Sequence, residues 1–248
     1  MKVSVITVCY NAVFTIESSI RSVIEQDYED VEYLVIDGGS KDGTVDLIKA
    51  YLPHIHYFIS EADHGIYDAL NKGIAKASGD IIGVLHANDC FAGLNTLRIV
   101  ADNFKEKQVD AVYGNLVFLN EKQQIVRKWL SKPCKRILLE LGWMPPHPAL
   151  FIKKEVYNRF GNYRLDFGTA ADYELILRFF YRHRIKTHHV DQIFIKMLTG
   201  GISNKSILNH VIGNINDFKA MKMHLLRAPF ITIILKPLQK IFQFKILF

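Results

Sequence analysis

Short apolar runs alternate with one-sided apolar stripes along the first half of the chain. The runs predict buried strands over residues 3–8, 31–36, 55–60, 81–85 and 111–113. Between them apolar residues recur every three or four positions, as at Ile16, Ile20 and Val23, which is typical of helices packed on a sheet. Helices are predicted over 14–26, from Asp42 or Thr44 to 51, over 66–77 and over 95–105. This alternation indicates right-handed crossovers and a mostly parallel α/β sheet flanked by helices.

The pattern changes after Gly114. An antiparallel pair is predicted over 116–119 and 124–130, a helix over 172–182, a strand over 186–190 and a helical region over 203–227. The proline-rich segment 143–148 cannot be helical and predicts a loop at a site. We therefore expect one α/β domain over 1–202, with halves at 1–115 and 116–202. A helical C-terminal extension is expected over 203–248.

Composition and cysteine usage narrow the class of protein. A hydrophobic content of 49% with 23% charged residues favours a folded chain over a disordered one. The three cysteines lie far apart without metal-ligand spacing, and their odd number favours a reducing compartment. The stretch before Asn11 is too short for a signal peptide and is interpreted as the first strand. These features predict a cytoplasmic protein.

Charge is distributed unevenly, and the last residues are basic. From Leu225 onward the sequence contains no acidic residue, and Arg227, Lys236, Lys240 and Lys245 are interleaved with apolar residues. Such a pattern favours an interfacial segment that faces anionic lipid, at the inner face of the cytoplasmic membrane. The alternative is a tail that packs on its own domain or on a dimer partner.

Two carboxylates follow two of the predicted strands. Asp37 ends the second strand and is followed by a glycine-containing loop, and Asp89 follows the strand over 81–85. In an open α/β sheet, ligands bind beyond the carboxyl ends of the strands, so both carboxylates should face one crevice. Such a crevice suits polar recognition of a nucleotide and oxygen coordination of a divalent cation.

Four motifs in order resemble those of family 2 glycosyltransferases of the GT-A fold. They are the segments 7–11, 37–44, 86–89 and 171–174. The segment 63–73 resembles a branch that makes bacterial capsule, lipopolysaccharide and exopolysaccharide. The resemblance covers about residues 1–200. No GxGxxG or GxxxxGK[ST] sequence follows any predicted strand, which disfavours a dinucleotide-binding fold and a P-loop.

The resemblance implies which residues bind the nucleotide-sugar. Asp37 would accept from uracil or ribose, while the glycines around it let the backbone approach the base. Its alternative is an Asx turn, with Asp42 capping the next helix. Asn11 either contributes to the start of the nucleotide pocket or caps a helix. Asp68 and Asn71 share a helix face that approaches the donor or is simply solvated. The full implied set is Thr7, Tyr10, Asn11, Asp37, Gly39, Asp68, Asn71 and Asn88.

The segment 86–89 occupies the position of a DxD-type metal signature and departs from it. His86 and Asn88 replace the expected residues, and Asp89 alone keeps a carboxylate. Mn²⁺ or Mg²⁺ needs few protein ligands where diphosphate and water supply the rest. The resemblance thus implies metal binding through Asp89, with the Asn88 amide oxygen available. The alternative is a surface turn that closes the strand.

Asp172 is the expected catalytic base. It opens a predicted helix, whose dipole favours the charged form, and the resemblance places the base here. Alternatively it only caps that helix, and Glu174 is then the fallback base. His147 could contact the acceptor or the leaving diphosphate. Arg178 is expected to be a structural ion-pair partner, and 200–203 a loop over the site.

The sequence therefore predicts an inverting, metal-dependent glycosyltransferase. It would move a sugar from a nucleotide-diphosphate donor, expected to be a UDP-sugar, to a glycan or a polyprenyl-diphosphate-linked glycan. Peripheral membrane contact through the tail is expected, and nucleic-acid binding is not. The alternatives are a nucleotidyltransferase and a non-catalytic module that binds sugar nucleotides.

Overall fold

The computed structural model describes residues 1–199, 207–241 and 243. The described strands are β1 (Val3–Cys9), β2 (Val31–Asp37), β3 (Tyr57–Ser60), β4 (Ile81–His86), β5 (Asp89–Phe91), β6 (Ala111–Leu119), β7 (Ile125–Trp129), β8 (Leu150–Lys153) and β9 (Thr187–Leu198). The described α-helices are α1 (Ile16–Ile24), α2 (Thr44–Lys49), α3 (Ile66–Lys76), α4 (Thr96–Lys107), α5 (Arg136–Glu140), α6 (Lys154–Phe160), α7 (Ala171–Ile176), α8 (Ile207–Met223) and α9 (Pro229–Ile241). The predicted loop over 200–203 lies outside the described residues.

The strands form one mixed sheet in the order β3-β2-β1-β4-β8-β6-β9-β5, with β7 paired to β6. β1 pairs in parallel with both β2 and β4, and β2 pairs in parallel with β3. Beyond β4 most pairs are antiparallel, although β6 and β9 are parallel. The predicted α/β architecture is confirmed. Antiparallel pairing extends further than the single hairpin that the sequence indicated.

Alternation along the strands divides the core between the two faces of the sheet. Val3 and Val5 of β1 pack with α1 and α4, whereas Ile6 and Val8 pack with α3 and α7. The second face also contains Ala220, Met221 and Leu226. The C-terminal helices thus share the core of the α/β domain. The predicted division into 1–202 and 203–248 remains a prediction.

Several segments differ from the sequence-based expectation, and the strands predicted over 111–113 and 116–119 form the single strand β6. Segment 143–148 was expected to exclude helix, but a 3₁₀ turn covers His147–Ala149, where a proline at the second position loses no internal bond. The predicted helix over 172–182 changes to a π-helix over Leu177–Arg182. β9 extends to Leu198, well past the predicted end at 190. No described helix is both long and apolar enough to cross a bilayer.

Glu32 links three segments at the end of the sheet opposite the predicted crevice. Its carboxylate accepts from the Ser4 hydroxyl at 2.5 Å and from the Ser78 N–H at 2.7 Å, and it lies 3.4 Å from Lys2 Nζ. Burial acts to raise the pKa of Glu32, but these hydrogen bonds and the lysine lower it to about 2. The ionised carboxylate therefore stabilises the folded state.

We expect Glu32→Gln to lower the free energy of unfolding at pH 7 by about 2 kcal/mol, since hydrogen bonds to a charged group are lost. Because the pKa of Glu32 is lower in the folded state than its unfolded value of 4.5, the carboxylate stabilises the folded state above pH 4.5. This contribution disappears as pH falls towards 2. The difference from wild type should thus be constant above about pH 6 and shrink in acid. Urea unfolding at several pH values measures it. Glu29→Gln, at an exposed position, is the control, and equal effects of the two changes would contradict the assignment.

Candidate active site

The carboxyl ends of three parallel strands lie side by side. Cys9 at the end of β1 is in register with Asp37 at the end of β2, and Val8 is in register with His86 at the end of β4. The loops that follow these strands therefore leave the sheet at one edge. This is the edge at which open α/β sheets bind ligands.

Asp37 organises the loop after β2. Its side chain is fully buried and accepts from the N–H groups of Gly39 and Ser40, at 3.0 and 2.9 Å. The hydroxyls of Ser40 and Ser60 also donate to it, the latter at 2.6 Å. Because its oxygens accept hydrogen bonds from neighbouring residues, Asp37 fixes the conformation of the loop that borders the crevice. Direct nucleoside contact remains a prediction and would require a serine hydroxyl to turn away.

The loops beside Asp37 are held in conformations that suit close approach of a ligand. Gly39 has φ +83°, in the left-handed region. A Cβ on Gly38 would lie 2.6 Å from Asp63 Oδ2, so a larger residue there would require the Asp63 side chain to move. Asn11, also left-handed at φ 47°, accepts from the Lys41 N–H at 3.0 Å. Tyr10 borders the same loop and is 57% exposed, so its ring is free to stack on a planar ligand.

Asp42 forms an Asx turn ahead of α2, whose N-cap is Gly43 and not Asp42 as expected. Its Oδ1 accepts from the Thr44 N–H at 3.0 Å, at the first residue of α2. Its Oδ2 accepts from the Val13 N–H at 3.1 Å, which joins this loop to the segment before α1. The carboxylate therefore fixes both loops at the edge of the crevice.

Three members of the implied donor-binding set have structural partners. Thr7 is fully buried in β1 and accepts from the Tyr33 hydroxyl at 3.0 Å, which corrects the expectation that it contacts the donor. Asn71 donates to the Tyr163 carbonyl at 2.8 Å and accepts from its N–H at 3.0 Å. Asp68 accepts from the His64 N–H at 3.1 Å, ahead of α3. Donor contact by Asn71 and Asp68 remains a prediction, and their observed bonds fix α3 and its loops.

Asp89 is a buried carboxylate without compensation from a side chain. It is 1% exposed, and neither oxygen has a well-directed hydrogen bond among the described residues. Burial raises the pKa of Asp89 to about 8, while the nearby His86 N–H opposes the rise. Burial also lowers the pKa of His86 to about 4, and its Nδ1 has no partner in the described part of the chain. An uncompensated buried carboxylate costs free energy that a bound cation would offset.

The residues around Asp89 fit a cation that shares its ligands with a second molecule. No group of three or more His, Cys, Asp or Glu side chains that could hold a metal occurs among the described residues. Half-buried Asn88 precedes Asp89 and can offer an amide oxygen. Mg²⁺ and Mn²⁺ complete such sparse sites with water and phosphate oxygens. Asp89 therefore fits the predicted metal position when a diphosphate is present.

His147 connects Asp172 to the end of β4. Its Nδ1 lies 3.1 Å from Asp172 Oδ2, within ion-pair distance, although the ring N–H is not directed at that oxygen. The His147 ring lies edge-on to His86 at 6.4 Å between centroids and to Trp129 at 6.3 Å. The Asp172 side chain is 16% exposed. The carboxylate is thus reachable from solvent and lies on the same side of the sheet edge as His86.

Tyr67 is a site residue that sequence reasoning did not identify. Its hydroxyl donates to the Thr169 carbonyl at 3.4 Å. Burial raises the pKa of Tyr67, and the neighbouring Asp172 carboxylate raises it further. The position of Tyr67 within the segment 63–73, one residue before Asp68, was the available signal. Tyr67 brings the N-terminus of α3 to the loop that carries Asp172.

Glu174 has a structural role, which corrects the expectation that it could serve as fallback base. It is fully buried, with one oxygen 2.9 Å from Arg178 Nη2 and the other 2.9 Å from His224 Nε2. Arg178 also donates to the carbonyls of Phe160 and Asn162, so its expected ion-pair role is confirmed. Both oxygens of Glu174 are occupied and closed to an acceptor. Asp172 is left as the carboxylate of this helix that solvent can reach.

A separate groove of about 460 Å³ lies between the N-terminus of α4, the β6–β7 hairpin and β9. Its walls include Asn95, Val117, Ile125 and Phe194. None of the predicted site residues lines it. The chemistry described above therefore belongs to the strand edge and not to this groove.

The structure shows an α/β fold with polar groups at one strand edge, and sequence comparison identifies the protein family. A model of glycosyl transferase family 2 matches residues 4–164. The chain belongs to this family and is a glycosyltransferase. An uncharacterized glycosyltransferase of Mycobacterium tuberculosis is 37% identical over 182 residues, which are 71% of this chain and 68% of that protein. A PGL/p-HBAD biosynthesis glycosyltransferase of Mycobacterium bovis is 26% identical over 81% of this chain and 78% of its own length.

Solved structures confirm the GT-A fold. A fragment of S. aureus TarS in complex with UDP-GlcNAc superposes with a TM-score of 0.70 at 15% identity, over 90% of this chain and 65% of that one. The mannosyltransferase PcManGT from Pyrobaculum calidifontis, in complex with GDP-Man and Mn²⁺, superposes with a TM-score of 0.67 at 18% identity, over 95% of this chain and 68% of that one. At these identities the likeness shows the fold. The chain spans less than two thirds of the TarS fragment.

We expect Asp89→Asn to leave the metal-free protein as stable as wild type or more stable above about pH 8, where the wild-type carboxyl is ionised, because the substitution removes an uncompensated buried charge. Manganese added with UDP should raise the melting temperature of wild type and not that of the variant. Thermal unfolding with and without both ligands measures this. Asp102→Asn, on α4 and away from the strand edge, should respond to manganese with UDP as wild type does. A metal-dependent shift retained in Asp89→Asn would contradict the metal assignment.

Proposed function

We propose that this protein is an inverting glycosyltransferase that uses a nucleotide-diphosphate sugar, with UDP-sugars as the expected donors. The observation that carries the proposal is the His86–His147–Asp172 contact chain, which connects an accessible carboxylate to the edge where β1, β2 and β4 end. The TarS fragment with UDP-GlcNAc and PcManGT with GDP-Man support the donor class. Because their nucleotides differ, the preference for UDP rests on the sequence resemblance.

The donor would lie across the loops after β1 and β2. Tyr10 offers an exposed ring to the base, and the Gly38-Gly39 backbone allows close approach beside Asp37. The diphosphate would lie near Asp89 and Asn88, which would hold Mn²⁺ or Mg²⁺. Such a cation supplies charge neutralisation to a departing diphosphate. The buried, uncompensated oxygens of Asp89 support this placement.

Asp172 would act as the general base. It lies in the first turn of α7, where the helix dipole favours an ionised carboxylate, and it is accessible to an acceptor hydroxyl. Proton removal by a positioned carboxylate as the hydroxyl attacks the anomeric carbon is the chemistry that inversion requires. His147 and Tyr67 flank the carboxylate and would fix its direction. Positioning of two bound substrates would supply much of the remaining rate acceleration.

The acceptor would be a glycan, free or carried on a polyprenyl diphosphate, in the synthesis of a bacterial surface polysaccharide. The resemblance of segment 63–73 and the basic, apolar C-terminal residues support this assignment. The name of the Mycobacterium bovis relative adds a second class of product, PGL and p-HBAD. A panel of lipid-linked glycan and phenolic acceptors would separate the two.

Asp172→Asn should lower kcat by about 10²–10⁴-fold, because the amide cannot take a proton, while donor binding stays within a few-fold of wild type. Asp166→Asn removes a more exposed carboxylate from the same loop and is the matched control. Transfer from a radiolabelled UDP-sugar measures kcat, and calorimetry measures donor binding. Unchanged turnover of Asp172→Asn would remove the base. Tight donor binding without transfer or donor hydrolysis in wild type would favour the non-catalytic module.

His147→Ala should lower kcat by roughly tenfold to a hundredfold with little change in the KM for the donor, because the base loses the group that fixes it. His147→Asn keeps a polar nitrogen close to the Nδ1 position and should recover part of the loss. Steady-state kinetics on both variants make the comparison. A rise in donor KM at unchanged kcat would instead indicate the diphosphate contact that the sequence suggested.

A further inference from the structure

The net positive charge of the chain lies in the C-terminal part of the sequence. Residues 218–248 contain six basic residues and no acidic one, whereas the whole chain has 31 basic and 25 acidic residues. The remaining 217 residues thus carry 25 basic and 25 acidic side chains and are neutral. The six are Lys219, Lys222, Arg227, Lys236, Lys240 and Lys245. The net charge of +6 belongs to this segment alone.

α8 presents an apolar stripe to solvent. Val211, Ile215 and Phe218 recur at helical spacing along one side of the helix, and Lys222 continues the line. Val211 is 52% exposed and Ile215 62%. The opposite side, with Ala220 and Met221, is buried in the core. α8 therefore carries apolar residues both on the side that packs into the core and on the side that faces solvent.

α9 continues this surface. Phe230, Ile234 and Leu238 lie one turn apart and are 68%, 66% and 45% exposed. The rings of Phe230 and Phe218 approach to 4.8 Å between centroids, so the stripes of the two helices meet. We call the residues Val211, Ile215, Phe218, Phe230, Ile234 and Leu238 the outer face. An exposed contiguous apolar surface of this kind marks an interaction site.

The inner side of the two helices is anchored to the domain. Thr232 donates to the Glu140 carbonyl at 2.6 Å, and Lys236 pairs with Asp217 at 2.5 Å. α8 also lies against the loop that precedes Asp172, where the Asn216 amide nitrogen is 3.5 Å from the position of a Cβ on Gly168. The outer face is thus about one helix diameter, roughly 10 Å, from the loop that carries the base. Whatever binds the outer face is held close to the acceptor side of the site.

We propose that the outer face docks on an anionic lipid bilayer. The apolar side chains would enter the boundary between headgroups and acyl chains, and the surrounding lysines and Arg227 would meet the lipid phosphates. The Lys222 ammonium lies 4.9 Å from the Phe218 ring centroid, and Arg227, although 3.7 Å from Glu140, is 77% exposed. Exposed cations therefore flank the apolar residues, as interfacial helices require.

Charge argues for lipid over a second copy of the chain. A symmetric dimer through this face would bring the exposed Lys222 and Arg227 of both copies together, and like charges repel. A surface of lipid phosphates offers the complementary charge. The proposal stands apart from the glycosyl-transfer mechanism and does not depend on the identity of the base or the metal.

The test is sedimentation of the full chain with vesicles of phosphatidylglycerol and phosphatidylcholine. Wild type should partition onto mixed vesicles and not onto pure phosphatidylcholine, and binding should weaken as salt rises. The double change Phe230→Ser and Ile234→Ser should reduce the partition coefficient by at least about tenfold, since two large apolar contacts are lost. Leu94→Ser removes a side chain that is 61% exposed elsewhere and should bind as wild type does.

Folding and oligomeric state are measured on the same proteins. Circular dichroism and turnover with a water-soluble acceptor should be unchanged in the double variant, which separates loss of docking from loss of folding or catalysis. Equal binding to neutral and anionic vesicles, or equal binding of wild type and the double variant, would overturn the proposal. So would a wild-type dimer that becomes monomeric in the double variant without any vesicle binding.

Discussion

The parallel register of β1 with β2 and β4 is the constraint on which the site depends. It sets the ends of three strands at one edge and, through the two-residue alternation of strands, decides which face each side chain takes. Asp37 lies on one face of the sheet with Cys9, while His86 shares the other with Val8. A shift of one residue would exchange these positions. The apolar core on both faces opposes such a shift, so hydrophobic packing fixes the geometry of polar groups that contribute little to it.

Buried acidic groups in this protein differ in how completely they are compensated. Asp37, Glu32 and Glu174 have their oxygens engaged by donors of the same chain. Asp89 is as deeply buried, but neither of its oxygens has a well-directed hydrogen bond from the residues that the structure describes. Proteins seldom leave a buried carboxylate in this condition unless a ligand completes it. The contrast distinguishes the carboxylates that stabilise the fold from Asp89, whose burial a bound ligand would offset.

The sequence predicted most of the fold because the first half has strong, regular periodicity. All five strands and four helices expected before Gly114 are present, and their ends are displaced by only a few residues except in β6, which continues from the predicted 111–113 to Leu119. Prediction from the sequence failed where the conformation depends on contacts between residues far apart in the chain. The extension of β9 to Leu198 requires β5 and β6 as partners, and the turn at His147 is fixed by packing between β4 and the base loop.

The site shows the same limit. Motif order pointed to Asp89 and Asp172 as candidate site residues, but no local pattern distinguishes Thr7, which is buried, from Tyr10, which is exposed. Tyr67 and the pairing of Glu174 with His224 depend on segments far apart in the chain, so side-chain spacing could not show them. Residue type indicated the chemistry, and three-dimensional contacts decided which residues are available for it.

The pairing of Glu174 with His224 has a consequence for attempts to shorten the protein. The histidine comes from the end of α8, and its partner lies two residues after the proposed base. A version ending at residue 202, the predicted end of the α/β domain, would remove His224 and leave the buried Glu174 carboxylate with Arg178 as its remaining ion-pair partner. The C-terminal helices are therefore part of the minimal enzyme, and a trimmed gene product would be expected to lose the ordered start of α7 before any substrate is added.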